Sequence, residues 1–238
     1  ILEAAGMSEC NACATPMENR LKLKKEDGGE PADATLYRSV IGSLPYLVNT
    51  RPDIAFAVGI TSRFMEKPSS HHWVAVKQIL RYIKGTMDYG CCYKAGHGEV
   101  TLVGYSDSDH GSDTGDRKST SGQIFFLGEN PVTWCSQKQK IVALSSCEAE
   151  YVAGAAAACQ GVWLSRLIGG MLGKPEAKFK LLIDNQAAIA LSKNPVHHDR
   201  SKHIDIKFHF IRVCVDTGKV EVSHVHTQEQ LADVLTKA

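Results

Sequence analysis

A chain of 238 residues is long for one domain and ample for one domain plus an accessory one. Its hydrophobic content of 43% and charged content of 22% are those of an ordinary globular protein, and a net charge of +1 excludes a global attraction to nucleic acid, so any such binding needs local basic patches. No stretch approaches the roughly 20 apolar residues of a membrane-spanning helix, so no membrane partner is expected.

The opening Ile1-Leu2-Glu3-Ala4-Ala5 is neither a signal peptide nor a natural initiator and reads as the start of a fragment or processed product. Residues 1–34 are polar and loop-like, with Pro16, Gly28-Gly29 and Pro31. The basic run Arg20-Leu21-Lys22-Leu23-Lys24-Lys25 reads as a solvated edge strand, or as a segment contacting phosphate. From Leu36, with Val40, Leu44 and Leu47, the spacing becomes helical, and Pro45 is expected to kink or break that helix. Arg51-Pro52-Asp53 is a turn, a second helix covers Ile54 to Phe64, and a third runs from an N-cap near Ser70 to Ile83 and stops at Gly85. Residues 36–85 thus form a small helical domain.

The character changes between Gly90 and Gly98. Strands are predicted at about 100–106, 122–127 and 132–143, the third with a candidate break near Gln137-Lys138 and the last two joined by a turn at Gly128-Glu129-Asn130-Pro131. Short connections make these an antiparallel meander. A long helix follows from Ser145 to about Met171, then strand 179–183, helix 185–193, helix 203–215, strand 219–225 and a last helix 228–236. The predicted class is α/β, a five-stranded mixed sheet with helices on it. The cysteines fit a reducing, intracellular setting: Cys135, Cys147, Cys159 and Cys214 lie in apolar contexts, Cys91 and Cys92 are adjacent, and Cys10 and Cys13 lack a second pair to complete a zinc site.

Carboxylates recur at the ends of these elements. Asp107 and Asp109 follow the apolar run Thr101-Leu102-Val103; strand alternation puts both on one side, so parity does not choose between them. Ser145 and Glu148 form a capping box, which gives Glu148 a structural task. Glu150 lies about 200° around the helix from Glu148, on a face of Ala153, Gly154, Ala157 and Gly161 that lets the helix approach the sheet closely. The helix is apolar almost all round, with Trp163 on the other side, and is expected to be buried. Asp184 ends the buried strand Leu181-Leu182-Ile183, as a metal ligand or as the cap of the next helix. Asp233 lies beside Leu231, Val234 and Leu235, as a ligand or as a solvated group. Each signal alone is weak; their order on strand, helix, strand and helix strengthens them. Four converging carboxylates would hold two divalent cations.

Several motifs carry a family resemblance. Leu36-Tyr37-Arg38-Ser39, Asn49-Thr50-Arg51-Pro52-Asp53-Ile54 and Leu80-Arg81-Tyr82-Ile83-Lys84-Gly85-Thr86 in residues 1–97 resemble the C-terminal, thumb- or connection-like end of a copia-type retrotransposon reverse transcriptase. Tyr105-Ser106-Asp107, Asp116-Arg117-Lys118-Ser119-Thr120-Ser121-Gly122, Glu148-Ala149-Glu150-Tyr151, Asp184-Asn185, Lys202-His203-Ile204-Asp205-Ile206 and Gln230-Leu231-Ala232-Asp233 in residues 98–238 resemble its ribonuclease H. The resemblance implies a ribonuclease H-like fold with catalytic, metal-binding Asp107, Glu150, Asp184 and Asp233. It implies two Mg²⁺ ions, with Mn²⁺ as a substitute, and cleavage of the RNA strand of an RNA–DNA hybrid. It chooses Asp107 over Asp109. The other partner implied is the upstream reverse transcriptase, and the setting a cytoplasmic virus-like particle or the nucleus. The polymerase's own paired aspartates are not in this chain. Where the family usually has tryptophan after Ser108-Asp109, this sequence has His110-Gly111-Ser112-Asp113.

Asp205 is the rival fourth ligand, or pairs with His209 one turn on to support its helix. His197, His198 and His203 read as a phosphate-contacting or solvated loop rather than a zinc site. His226, close before Asp233, is a candidate to assist product release, or a strand-end histidine. The hybrid's backbone would be held by Arg117, Lys118, Lys138, Lys140, Arg200 and Lys202, with Ser119 and Thr120 as neutral donors. A non-catalytic retroelement-derived domain that binds nucleic acid or a protein is the alternative to an enzyme.

Overall fold

The computed structural model describes residues 1–95, 101–193 and 204–238. They form two compact units, one of residues 1–91 with 112–117 and 237–238, the other of residues 92–111 and 118–236.

The first unit is helical. Helix α1 (Ala34–Val48) begins at Asp33, whose carboxylate accepts the Thr35 and Leu36 amides, so the cap lies earlier than the apolar spacing alone suggests. The helix continues through Pro45 and ends one turn later, so the expected break there is not found. Pro52 opens a 3-10 turn (Pro52–Ile54), followed by α2 (Ala55–Thr61) and a second 3-10 turn (Ser62–Phe64) where one longer helix was expected. Helix α3 (Ser70–Gly85) is capped by Ser69, not Ser70: the Ser69 hydroxyl accepts the His72 amide and His72 Nδ1 accepts the Ser69 amide. Tyr37, Ile41, Leu44, Ile54, Ile79 and Leu80 close the core of this unit. The basic run around Lys22 is no edge strand; Leu21 and Leu23 pack on that core, and Arg20 has a left-handed backbone with φ +61°.

The second unit is the five-stranded mixed sheet with flanking helices expected of a ribonuclease H-like fold, in the order β3-β2-β1-β4-β5. Strands β1 (Leu102–Ser108), β2 (Thr120–Leu127) and β3 (Asn130–Lys138) are the antiparallel meander. Strands β4 (Phe179–Ile183) and β5 (Val220–His224) run parallel to β1. A parallel neighbour requires a crossover connection, and the long helix α4 (Ser146–Leu172) supplies it between β3 and β4. Helices α5 (Gln186–Lys193) and α6 (Phe210–Asp216) complete the β4-to-β5 crossing; a 3-10 turn (Ile206–His209) precedes α6, so the described part of that helix is shorter than expected.

Small residues set the distance between α4 and the sheet. A Cβ on Gly161 would stand 2.3 Å from the Phe179 ring, and one on Gly154 3.1 Å from Ile183. Close approach thus depends on the small face that also carries Glu150. The far side of α4 departs from the all-buried expectation, since Trp163, Leu167 and Met171 are exposed. The C-terminal segment is not an α-helix; two 3-10 turns, Thr227–Glu229 and Asp233–Leu235, flank a stretch through Gln230. Among the described residues, no helix is long and apolar enough to cross a membrane.

Candidate active site

Near its end strand β1 carries Ser106 and Asp107, both buried, although alternation along a strand predicts burial of every second residue. The extra burial comes from chain packed over the strand end. Asp107 lies opposite Gly122 on β2, and a Cβ on Gly122 would stand 2.8 Å from both Leu235 and Thr236. Only glycine leaves room there for the C-terminal segment. That segment is clamped to the sheet: Gln230 Nε2 donates to Ser106 O at 2.9 Å, and Ser136 Oγ donates to Leu235 O at 2.6 Å.

Helix α4 delivers Glu150. Its N-cap, Ser145, accepts the Glu148 amide, and Glu148 reaches back to the Leu144 amide at 2.8 Å, one residue before the cap. The capping box is therefore half formed as expected and half displaced. Glu148 is occupied by that contact, and Glu150 points to the sheet, where its Oε1 accepts the Ser108 amide at 2.9 Å. Its Oε2 is buried without a hydrogen-bond partner.

The capping of α5 falls to the neighbour of Asp184. Asn185 Oδ1 accepts the Ala188 amide at 3.0 Å and so caps α5, which relieves Asp184 of that task. Ligand oxygens of Asp107, Glu150 and Asp184 lie within 4.8 Å of one another. This is the one grouping of three or more such side chains among the described residues. The electrostatic consequence falls on Glu150. Burial first, then repulsion from Asp107 and Asp184, pushes its carboxyl up to about 9 from an ordinary 4.5.

Asp233 lies outside the 4.8 Å group, partly buried at the start of its 3-10 turn. Three residues on, Thr236, which sequence reasoning missed, donates its hydroxyl to Asp107 Oδ2. Thr227, also missed, donates to Asp184 Oδ2 at 3.3 Å. No local motif marks either threonine, because each finds its carboxylate through the fold. A third missed residue, Gln139, donates from Nε2 to the Ala149 carbonyl and to the Ser108 and Ser121 hydroxyls, tying β1 and β2 to the start of α4.

The remaining candidates divide. Asp109 accepts the Thr120 amide at 2.9 Å and braces the β1–β2 pair. Asp205 is exposed and paired at 2.8 Å with Lys207 rather than with His209, whose ring meets the Tyr151 hydroxyl instead. His226 is exposed, its ring set edge-on against His224 at 5.5 Å. Arg117 and Lys140 are exposed, and Lys118 and Lys138 partly so. Ser119 and Thr120 are buried, and Ser119 Oγ accepts the Gly111 amide at 2.9 Å, so these hydroxyls do not face solvent as phosphate donors must. Arg200, Lys202, His197, His198 and His203 lie outside the described residues.

No protein-family model matches the chain. Over its whole length it is 42% identical to the retrovirus-related Pol polyprotein from transposon TNT 1-94 of Nicotiana tabacum, of which it spans 18%. It is 47% identical over 130 residues to the secreted RxLR effector protein 161 of Plasmopara viticola, a match that takes in 54% of this chain and 91% of that protein. Among solved structures, the N-terminal RNase H domain of Rv2228c from Mycobacterium tuberculosis aligns over 58% of this chain and 91% of its own, with a TM-score of 0.40 and 15% identity.

Proposed function

We propose, for a chain that belongs to the retrovirus-related Pol polyprotein family of plant transposons, that residues 98–238 are a metal-dependent ribonuclease H that cuts the RNA strand of RNA–DNA hybrids during reverse transcription. Residues 1–97 are, in this reading, the C-terminal end of a copia-type reverse transcriptase, whose upstream part is the partner. The setting is a cytoplasmic virus-like particle or the nucleus.

The observation that carries the reading is the state of Glu150: a buried carboxyl beside two others, one oxygen without a donor, its proton affinity raised to about 9. A divalent cation relieves that arrangement, and an all-oxygen donor set fits a hard ion such as Mg²⁺, with Mn²⁺ as substitute. Asp107, Glu150 and Asp184 would hold it, with Asp233 as the fourth carboxylate. A bound metal pair supplies Lewis acidity at phosphorus and activation of the attacking water. The chain's own groups do the rest. The Ser108 amide orients Glu150. The exposed and half-exposed cations Arg117, Lys118, Lys138 and Lys140, joined by Arg200 and Lys202, hold the hybrid backbone. His226, one residue before Thr227 and its contact with Asp184, assists product release.

The test is a gel assay on a hybrid labelled in either strand, with Mg²⁺, comparing wild type with Asp107→Asn. Cleavage confined to the RNA strand and lost in the variant is expected. No cleavage by wild type at any metal concentration overturns the enzyme; equal cleavage of duplex DNA overturns the hybrid specificity.

A further inference from the structure

We infer that Thr236 is a positioning residue for the carboxylate cluster, its buried hydroxyl fixing the orientation of Asp107 toward Glu150 and Asp184; this rests on the metal-dependent reading above.

Thr236 and Asp107 are each only 2% exposed. The Thr236 hydroxyl has one proton and two acceptors in reach, Asp107 Oδ2 and, at 3.2 Å, the Asp233 carbonyl. The carboxylate is the stronger acceptor, because a hydrogen bond to an ionised group is roughly twice as strong as a neutral one. The hydroxyl's place is set independently of Asp107. Leu235 O is held by Ser136, Gln230 is bonded to Ser106 O and accepts the Ala232 amide at 3.2 Å, and the turn lies flush on Gly122. A β-branched side chain on so constrained a backbone has little χ1 freedom.

Asp107 has the opposite problem. Its terminal torsion is a broad two-fold rotor, and it sits among the carboxyl oxygens of Glu150 and Asp184. A fixed donor on one oxygen restricts the rotor, so the carboxylate is ordered before any cation arrives. A packing role alone would reside in the Thr236 methyl, which lies where a Gly122 Cβ would be 2.8 Å away. The two roles separate by substitution: Thr236→Val keeps the shape and deletes the hydroxyl, and Thr236→Ser keeps the hydroxyl and deletes the methyl.

The experiment is a calorimetric titration of the whole chain with Mn²⁺ alone, followed by hybrid cleavage kinetics, on wild type, both Thr236 variants and Asp107→Asn. Circular dichroism monitors folding. Thr236→Val is expected to bind Mn²⁺ about tenfold more weakly, in the range for groups that orient metal ligands. Its kcat should fall with KM for the hybrid unchanged, and Thr236→Ser should stay close to wild type on both measures. Wild-type Mn²⁺ affinity in Thr236→Val, tighter binding in it, or an equal loss in Thr236→Ser overturns the inference and leaves the nuclease reading standing. Absence of Mn²⁺ binding by wild type overturns both. If Thr236→Val does not fold, Thr236→Ala is compared with Thr236→Ser instead. A weak Ala variant beside a near-normal Ser variant supports the hydroxyl, and equal variants overturn it.

Discussion

Glu150 holds a carboxyl group in a place that favours its protonated form, and stability must respond to pH accordingly. Its carboxyl titrates near 9 in the folded chain against 4.5 as a free side chain, so the folded state binds the proton more tightly. The contribution is fully present below the unfolded value and is lost as pH rises through the folded one. Each pKa unit is worth about 1.4 kcal/mol, and coupling to Asp107 and Asp184 makes a loss of a few kcal/mol the realistic scale. Metal-free protein should therefore melt at a lower temperature at pH 9 than at pH 5, and Glu150→Gln should flatten that slope. Mg²⁺ should restore the wild-type melting temperature at high pH and leave the variant unmoved. Thermal scans across pH with and without metal check all three. Residue types and spacing made Asp107, Glu150 and Asp184 legible as a group. They could not show that Asn185 takes over the capping of α5, or that Glu148 passes its own cap to reach Leu144, because these are choices among neighbours that only local geometry makes. Thr236 was illegible for a different reason: a lone hydroxyl carries no signal until the acceptor it meets is known.

Elements were read well where their apolar spacing was long and less well where it was short. The first and third helices of the first unit and four of the five strands follow the pattern; the second helix is shortened to Ala55–Thr61 and β3 stops at Lys138 rather than 143. The last apolar cluster, Leu231 with Val234 and Leu235, mimics a helical face over a stretch that is two 3-10 turns. Too few residues lie there for periodicity to separate a helix from a turn held by tertiary contacts. Glycines offer a sharper test of the packing. Gly42 in α1 has open space around its absent Cβ, so Gly42→Ala should stabilise by up to about 1 kcal/mol through helix propensity. Gly161→Ala in α4 gains the same propensity but would drive a Cβ to 2.3 Å from Phe179, and overpacking of that kind costs about 1–3 kcal/mol. Urea denaturation should show opposite signs for the two. Gly122→Ala should cost both activity and stability, since the group it displaces is the C-terminal turn over Asp107 with its buried Leu235. Cleavage rate and unfolding midpoint, measured on the same preparation, separate the two effects.

At the scale of the molecule, a net charge of +1 means that any affinity for a hybrid would have to come from few, local cations. Removing one that touches phosphate, as in Lys140→Ala, should weaken binding equally for all sequences and reduce the salt slope by about 1, whereas a solvated lysine would change neither. Binding isotherms at several salt concentrations distinguish them. The division into a helical part and a sheet part was visible from the change of periodicity near Gly90, while the segment 112–117, which clusters with the helical unit, gave no such sign.

The C-terminal clamp has a kinetic corollary. Thr236 meets Asp107 across 129 residues of sequence, Gln230 meets Ser106 across 124, and Leu235 meets Ser136 across 99. Contacts of such separation close the largest loops and are disfavoured early in folding. The meander and α4 can come together on shorter-range pairings, with the final turns docking afterwards. Pulse-labelled hydrogen exchange should then find the β1 and β2 amides protected before those of residues 233–236. The ability to hold metal would mark the end of folding, not its beginning.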